Sequence, residues 1–128
     1  NYTLATHAGL TSRYYKYILK YIDSNDKIKE LLGDGYKEQM EHHQILNHLK
    51  NENKLIWSIG PERGGWSLGS IIWVDKIELL NDNIPLIDQI VGHTNNRYME
   101  IRNGLNDETI YFIDAGINEV QGLSIDFV

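Results

Sequence analysis

The residues best suited to chemistry lie in one short stretch of the chain, where His93, Thr94, Arg97 and Tyr98 follow one another closely. Histidine exchanges a proton near neutral pH, and a guanidinium can hold a phosphate. Cleavage of a phosphodiester needs such groups, because a base must accept a proton and a cation must stabilise the charge of the transition state. One interpretation is therefore a small metal-independent ribonuclease or toxin domain, with Arg97 or Arg102 on the phosphate. A polar turn between two strands would explain the same residues without catalysis.

Three further histidines, His42, His43 and His48, share one predicted helix but lack the spacing of metal ligands. Zinc ligands on a single helix stand about three or four residues apart, so that they share a face. The chain also has no cysteine, which removes disulfides, thiolate metal sites and thiol nucleophiles. We therefore predict neither a metal nor a cofactor.

A glycine-rich segment, residues 60–65, separates two apolar runs that contain all three tryptophans. It lacks the Lys-Ser/Thr ending and the following helix of a phosphate-binding loop. Arg63 at its tip and Trp66 just behind it would make an anchor pair for a protein partner, since Arg and Trp are enriched at binding hot spots. Packing of Trp66 in the core is the alternative.

The net charge of −6 is distributed unevenly along the chain. Up to residue 54 there are eight basic and seven acidic residues, whereas from residue 55 there are four and eleven. An acidic surface speeds the capture of a basic partner. The carboxylates that follow the last basic residue form the predicted partner-binding surface together with Arg63 and Trp66: Asp107, Glu108, Asp114, Glu119 and Asp126.

Basic and aromatic residues alternate between residues 13 and 21, as they do on some nucleic-acid-binding surfaces. They are Arg13, Tyr14, Tyr15, Lys16, Tyr17, Lys20 and Tyr21. Most of these rings fall on the helical stripe that is expected to face the core. With the negative net charge as well, nucleic acid is the less favoured partner.

The periodicity predicts one α+β domain over residues 1–128, with a helical part at about 11–50 and a sheet part at about 55–128. About three N-terminal helices, the first from about residue 11 to near residue 23, are expected to pack on a C-terminal antiparallel sheet of about five to six strands. Residues 1–10 show no clear period and are expected to be a lead-in. The expected sheet segments are 55–57, 66–80, 86–91, 97–102, 109–113 and 123–127, of which 86–91 could instead be a helical turn. Alternation predicts that Ile77 and Leu79 share one face of the second segment and that Ile101 points inward from the fourth.

The small size, the acidic half and the missing catalytic signature favour an acidic protein-binding inhibitor, of the immunity-protein or antitoxin type. Its partner would be a basic protein, for example a nuclease toxin. The ribonuclease is the alternative, and a small-ligand-binding α+β domain is the second alternative. No apolar run approaches the roughly 20 residues of a membrane span, so we expect no membrane partner. The absence of cysteine fits a cytoplasmic location, which we also expect.

Overall fold

The computed structural model describes residues 2–50, 69–94 and 98–114, which contain five helices and four strands. The helices are α1 (Ser12–Asp23), α2 (Asp26–Leu32), α3 (Tyr36–Gln39), α4 (His42–Leu49) and α5 (Lys76–Asp82). The strands are β1 (Tyr2–Thr6), β2 (Ile87–Val91), β3 (Glu100–Asn103) and β4 (Thr109–Phe112). Helices and strands are both present, in agreement with the α+β class. The single-domain organisation stays a prediction.

The four strands form one mixed sheet in the order β1-β2-β4-β3. β1 pairs parallel with β2, β2 pairs parallel with β4, and only β3 and β4 are antiparallel. The predicted antiparallel sheet of five to six strands is therefore wrong. The described N-terminal part holds four helices, where about three were predicted. A parallel pair needs a long connection between its strands, and here the chain from residue 7 to residue 86 joins β1 to β2. That distance hid the role of residues 2–6, which are a strand and not a lead-in.

Helix α5 also corrects the sequence interpretation, because residues 76–80 were predicted to continue a strand. Ile77 and Leu79 were expected on one face, but Ile77 is 64% exposed and Leu79 is fully buried. Asp75 occupies the N-cap position, and its carbonyl accepts a hydrogen bond from the Leu79 amide at 3.0 Å. Short apolar runs do not distinguish a strand from a helix by periodicity alone. Ile101 was likewise expected to point inward and is 61% exposed.

Two hydrophobic clusters connect the helices to the sheet. The larger one packs α1 to α4 against the edge formed by β1 and β2, with Tyr14, Ile18 and Ile22 as the buried stripe of α1. The smaller one packs Leu79 of α5 against residues of β2 and β4, including Phe112. Helix α5 is thereby held beside the ends of the parallel strands. None of the helices in the described ranges combines the length and the apolar character needed to cross a bilayer.

Several predictions fall on residues that the structure does not describe. They concern the tryptophan-containing strands and glycine loop between residues 55 and 68, together with the last predicted strand, 123–127. The residues just after that loop are described, and there 71–73 form a turn and no strand. In this turn the amides of Trp73 and Val74 both donate to the carbonyl of Ser70, at 3.0 and 2.9 Å.

Candidate active site at the carboxyl edge of the sheet

The carboxyl ends of the parallel strands meet at one edge of the sheet and bring distant residues together. His7 follows β1, His93 follows β2, and Asp114 comes just after β4. The amide of Gly92 donates to the carbonyl of His7 at 2.9 Å, which ties the ends of β1 and β2 to each other. In open sheets with parallel strands, ligands bind outside this edge. This edge is therefore where a ligand site is expected.

His93 lies at the centre of a compact group of side chains. Its ring meets the ring of His7 edge to face, with 5.2 Å between the centroids, and it meets Trp73 in the same way at 5.6 Å. The Nε2 atom of His93 lies 3.5 Å from Oδ1 of Asp75. The side chain of His93 is only 8% exposed, whereas His7 is exposed. The group thus runs from a shielded carboxylate, through one imidazole, to a second imidazole at the surface.

The backbone at His93 is unusual. Its φ is +62°, and the amide of Thr94 donates to the carbonyl of Gly92 at 2.7 Å across it. A bond between residues two apart with a positive φ between them belongs to the γ-turn type that is rare and strained. Such strain concentrates at functional sites, where the surroundings hold it in place. Here the Lys76 amide donates to the Thr94 hydroxyl at 3.2 Å, so the start of α5 holds the turn.

A small charged group lies next to the turn. Lys76 forms an ion pair with Glu100 of β3, and its ammonium lies 5.1 Å from the centre of the Phe112 ring. Arg102 also contacts Glu100, at 2.9 Å. The hydrogen bonds from Lys76 and then from Arg102 lower the pKa of Glu100. Arg102, proposed for a phosphate from the sequence, is therefore engaged on the surface of β3.

Two imidazoles in contact, one of them backed by a carboxylate, can carry out acid–base chemistry. A carboxylate close to an imidazole stabilises the charge that the ring gains with a proton. The partner imidazole can then supply a proton in the same step. In the described part of the chain, no three His, Asp or Glu side chains come together in a way that could hold a metal ion.

The chain matches no protein-family model, no curated protein and no solved structure.

Of the catalytic residues predicted from the sequence, two lie at the candidate site. His93 and Thr94 are adjacent at the carboxyl edge, and Tyr98 is 50% exposed. Arg97 lies outside the described residues. The other members of the cluster, His7, Trp73 and Asp75, were not predicted to take part. They are separated from His93 by long stretches of sequence, and only the parallel pairing and the position of α5 bring them to it.

The residues predicted to bind a basic partner lie in different environments. Arg63, Trp66, Glu119 and Asp126 are outside the described residues. Asp107 is exposed in the turn between β3 and β4, where its φ is +65°. Asp114 is half-buried at the end of β4.

Glu108, the remaining member of that predicted surface, is 4% exposed. Its Oε2 accepts from the Asn83 side chain and from the Asn106 amide, both at 3.0 Å. Its Oε1 accepts from the Leu86 amide at 3.4 Å. Burial alone would raise the pKa of Glu108, but these hydrogen bonds to the ionised form outweigh it, and the pKa is lowered. The carboxylate therefore joins the turn before β4 to the segment between α5 and β2.

Two other carboxylates of the acidic half are also engaged within the protein. Asp82 at the end of α5 pairs with Arg13 of α1, with 3.3 Å between the side chains. Asp88 of β2 accepts a hydrogen bond from the Thr109 amide at 2.7 Å. Much of the acidic surplus that the sequence suggested as a binding surface thus serves internal contacts in the described ranges.

Proposed function

We propose that this protein is a small enzyme that cleaves phosphodiester bonds of RNA by acid–base catalysis. The observation that supports the proposal is the contact between His7 and His93, with Asp75 behind His93, at the carboxyl edge of parallel strands. The strained turn at His93 supports it as well. A cytoplasmic location, expected from the cysteine-free composition, would give such an enzyme access to RNA.

In the proposed reaction His93 acts as the base and His7 as the acid. His93 takes the proton of a ribose 2′-hydroxyl, and the oxygen forms a bond to the adjacent phosphorus. The bond from phosphorus to the 5′-oxygen breaks, and His7 gives its proton to that oxygen. The products are a 2′,3′-cyclic phosphate and a free 5′-hydroxyl. Asp75 stabilises the positive charge on His93 while the ring holds the extra proton.

The inhibitor hypothesis stays a prediction, and fewer exposed carboxylates support it than the sequence suggested. Glu108 is buried, and Asp82 and Glu100 are paired with basic residues. Of the described members of the predicted surface, Asp107 is exposed, and Arg63, Trp66, Glu119 and Asp126 lie outside the described ranges. Binding to a basic partner should weaken as salt rises. The small-ligand hypothesis also stays a prediction, open to a thermal-shift screen.

Cleavage of a labelled RNA oligonucleotide in the presence of EDTA tests the proposed enzyme. Wild-type protein should cut the RNA and leave the all-deoxy oligonucleotide intact, because DNA lacks the attacking hydroxyl. His93→Ala and His7→Ala should each lower the rate by about 10²- to 10⁴-fold, the usual contribution of an acid–base residue. His48→Ala is the matched control, since His48 is exposed on α4 and takes no part in the cluster.

Two results would contradict the proposal. One is wild-type protein that leaves RNA intact over a range of pH. The other is cleavage by His93→Ala at the wild-type rate, which would assign the activity to a contaminating nuclease. Circular dichroism and thermal unfolding of each variant separate loss of catalysis from loss of the fold.

A further inference from the structure

A basic groove of about 530 Å³ lies along the outer face of α1 and shares no residue with the imidazole cluster. Four basic side chains, one tyrosine and one carboxylate are among the residues that line it: Arg13, Lys16, Lys20, Lys37, Tyr17 and Asp23. The rest of the chain is acidic enough to bring the net charge to −6. The groove is therefore a local positive patch on a protein of negative net charge.

The spacing along α1 explains why these side chains meet. Arg13, Lys16, Tyr17 and Lys20 stand at intervals of three and four residues, which places them on one face of a helix. The face that packs in the core is different and carries Tyr14 with two isoleucines. Of the tyrosines on this helix, Tyr17 is thus the one that the structure assigns to the groove, where it is half-buried.

The four basic side chains differ in whether they form ion pairs within the described ranges. Arg13 pairs with Asp82, and Lys37 pairs with Asp23. Lys16 and Lys20 are exposed, and no carboxylate of the described residues lies within ion-pair distance of either one. Within the described ranges, two lysines on one helical face thus carry charge that no carboxylate pairs with.

We propose that this groove binds single-stranded nucleic acid. Lys16 and Lys20 would contact successive backbone phosphates, and the ring of Tyr17 beside them would stack on a base. Aromatic rings beside a row of cations are the usual means of holding a single strand without sequence preference. An acidic peptide would use the lysines but would gain little from the ring, so the tyrosine favours nucleic acid. Such a groove would also hold the RNA of the proposed reaction, but it can be tested without that reaction.

Fluorescence anisotropy with a labelled oligothymidylate tests the groove. This probe has no 2′-hydroxyl, so binding can be measured even if the protein cleaves RNA. The double variant Lys16→Ala/Lys20→Ala should bind more weakly and depend less on salt. Loss of two phosphate contacts makes the slope of log affinity against log salt less steep by about 1.4. When the salt rises from about 50 to about 200 mM, the affinity of the variant should therefore fall by a factor about seven times smaller than that of the wild type. Lys27→Ala/Lys50→Ala removes the same charge from exposed positions outside the groove and is the matched control.

The ring is tested in the same assay. Tyr17→Leu should weaken binding by about 5- to 150-fold, the range for loss of one base–aromatic stack, whereas Tyr17→Phe should bind like wild type. Equal weakening by the two double lysine variants would overturn the proposal, because it would assign binding to net charge. Tighter binding of labelled polyglutamate than of oligothymidylate would overturn it in favour of an acidic protein partner. Failure of RNA cleavage together with intact binding would refute the proposed enzyme alone.

Discussion

Glu108 illustrates how a single carboxylate can be misjudged from its place in the sequence. It belongs to a run of acidic residues without basic neighbours, yet it is buried and accepts hydrogen bonds from Asn83, Leu86 and Asn106. Gly104 lies against the same group, since a Cβ at this position would come within 2.7 Å of Glu108 Oε2. Charge along a sequence therefore does not show which carboxylates face water.

Glu108→Gln should destabilise the protein by about 1 to 3 kcal/mol, the usual cost of leaving a buried hydrogen-bonding group unsatisfied. An amide can accept with only one of its two terminal atoms, so one of the donors now held by the carboxylate loses its partner. Urea unfolding at neutral pH measures the effect. Asp107→Asn is the matched control, because it removes the same charge from an exposed neighbour and should change stability by less than about 0.5 kcal/mol. Equal effects of the two substitutions would contradict the buried role of Glu108.

The candidate site was only partly predictable at the residue scale. His93 and Thr94 could be named because they are adjacent in a polar loop. His7 could not, because the segment before it shows no periodicity and its neighbour in space is far along the chain. Asp75 could not be named for another reason. It precedes a segment that was predicted as a strand but forms α5. A prediction of parallel strands from the sequence would have placed His7 and His93 at the same edge of the sheet.

At the scale of elements, the prediction succeeded where structure is local. Helix α1 was expected from about residue 11 to residue 23 and is found at Ser12–Asp23. Its stripe repeats at helical spacing, and Thr11 caps it by accepting a hydrogen bond from the Tyr14 amide at 3.2 Å. The sheet was predicted less well, because β1 and β2 are joined only by contacts between distant parts of the chain.

The cap of α1 can be tested directly. Thr11→Ala should lower the free energy of unfolding by about 1 kcal/mol, because the Tyr14 amide loses its acceptor at the start of the helix. Thr11→Ser keeps the hydroxyl and should retain most of the stability. Chemical denaturation of the three proteins measures the difference. If Thr11→Ser were as unstable as Thr11→Ala, the lost methyl group and not the cap would be responsible.

At the scale of the whole molecule, the carboxylates and the histidine with shifted pKa values all have a lowered pKa. Hydrogen bonds lower the pKa of Glu108 against the effect of burial, hydrogen bonding to Lys37 lowers that of Asp23, and Lys76 with Arg102 lowers that of Glu100. Burial lowers the pKa of His42, which lies against Tyr15. In each case the unfolded chain binds protons more readily than the folded one as the pH falls.

The protein should therefore lose stability progressively in acid. The contribution of His42 is complete above about pH 6.5 and declines as the pH falls toward the lower folded pKa. The carboxylates contribute fully above about pH 4 and lose their contribution below it, as the pH falls through their folded pKa values. Melting temperatures between neutral pH and pH 3 measure this decline. The decline should be smaller in Glu108→Gln than in the wild type, and an equal decline would contradict the role assigned to that carboxylate.

The central claim is that His7 and His93 work as one catalytic unit at the carboxyl edge of the sheet. Rates of RNA cleavage by wild type, His7→Ala, His93→Ala and the double variant test it most directly. Residues that act together in one step give non-additive losses. We predict that each single variant loses about 10²- to 10⁴-fold and that the double variant is about as slow as the slower single variant. Full activity in either single variant, or a double variant that loses the product of the two single effects, would contradict the claim.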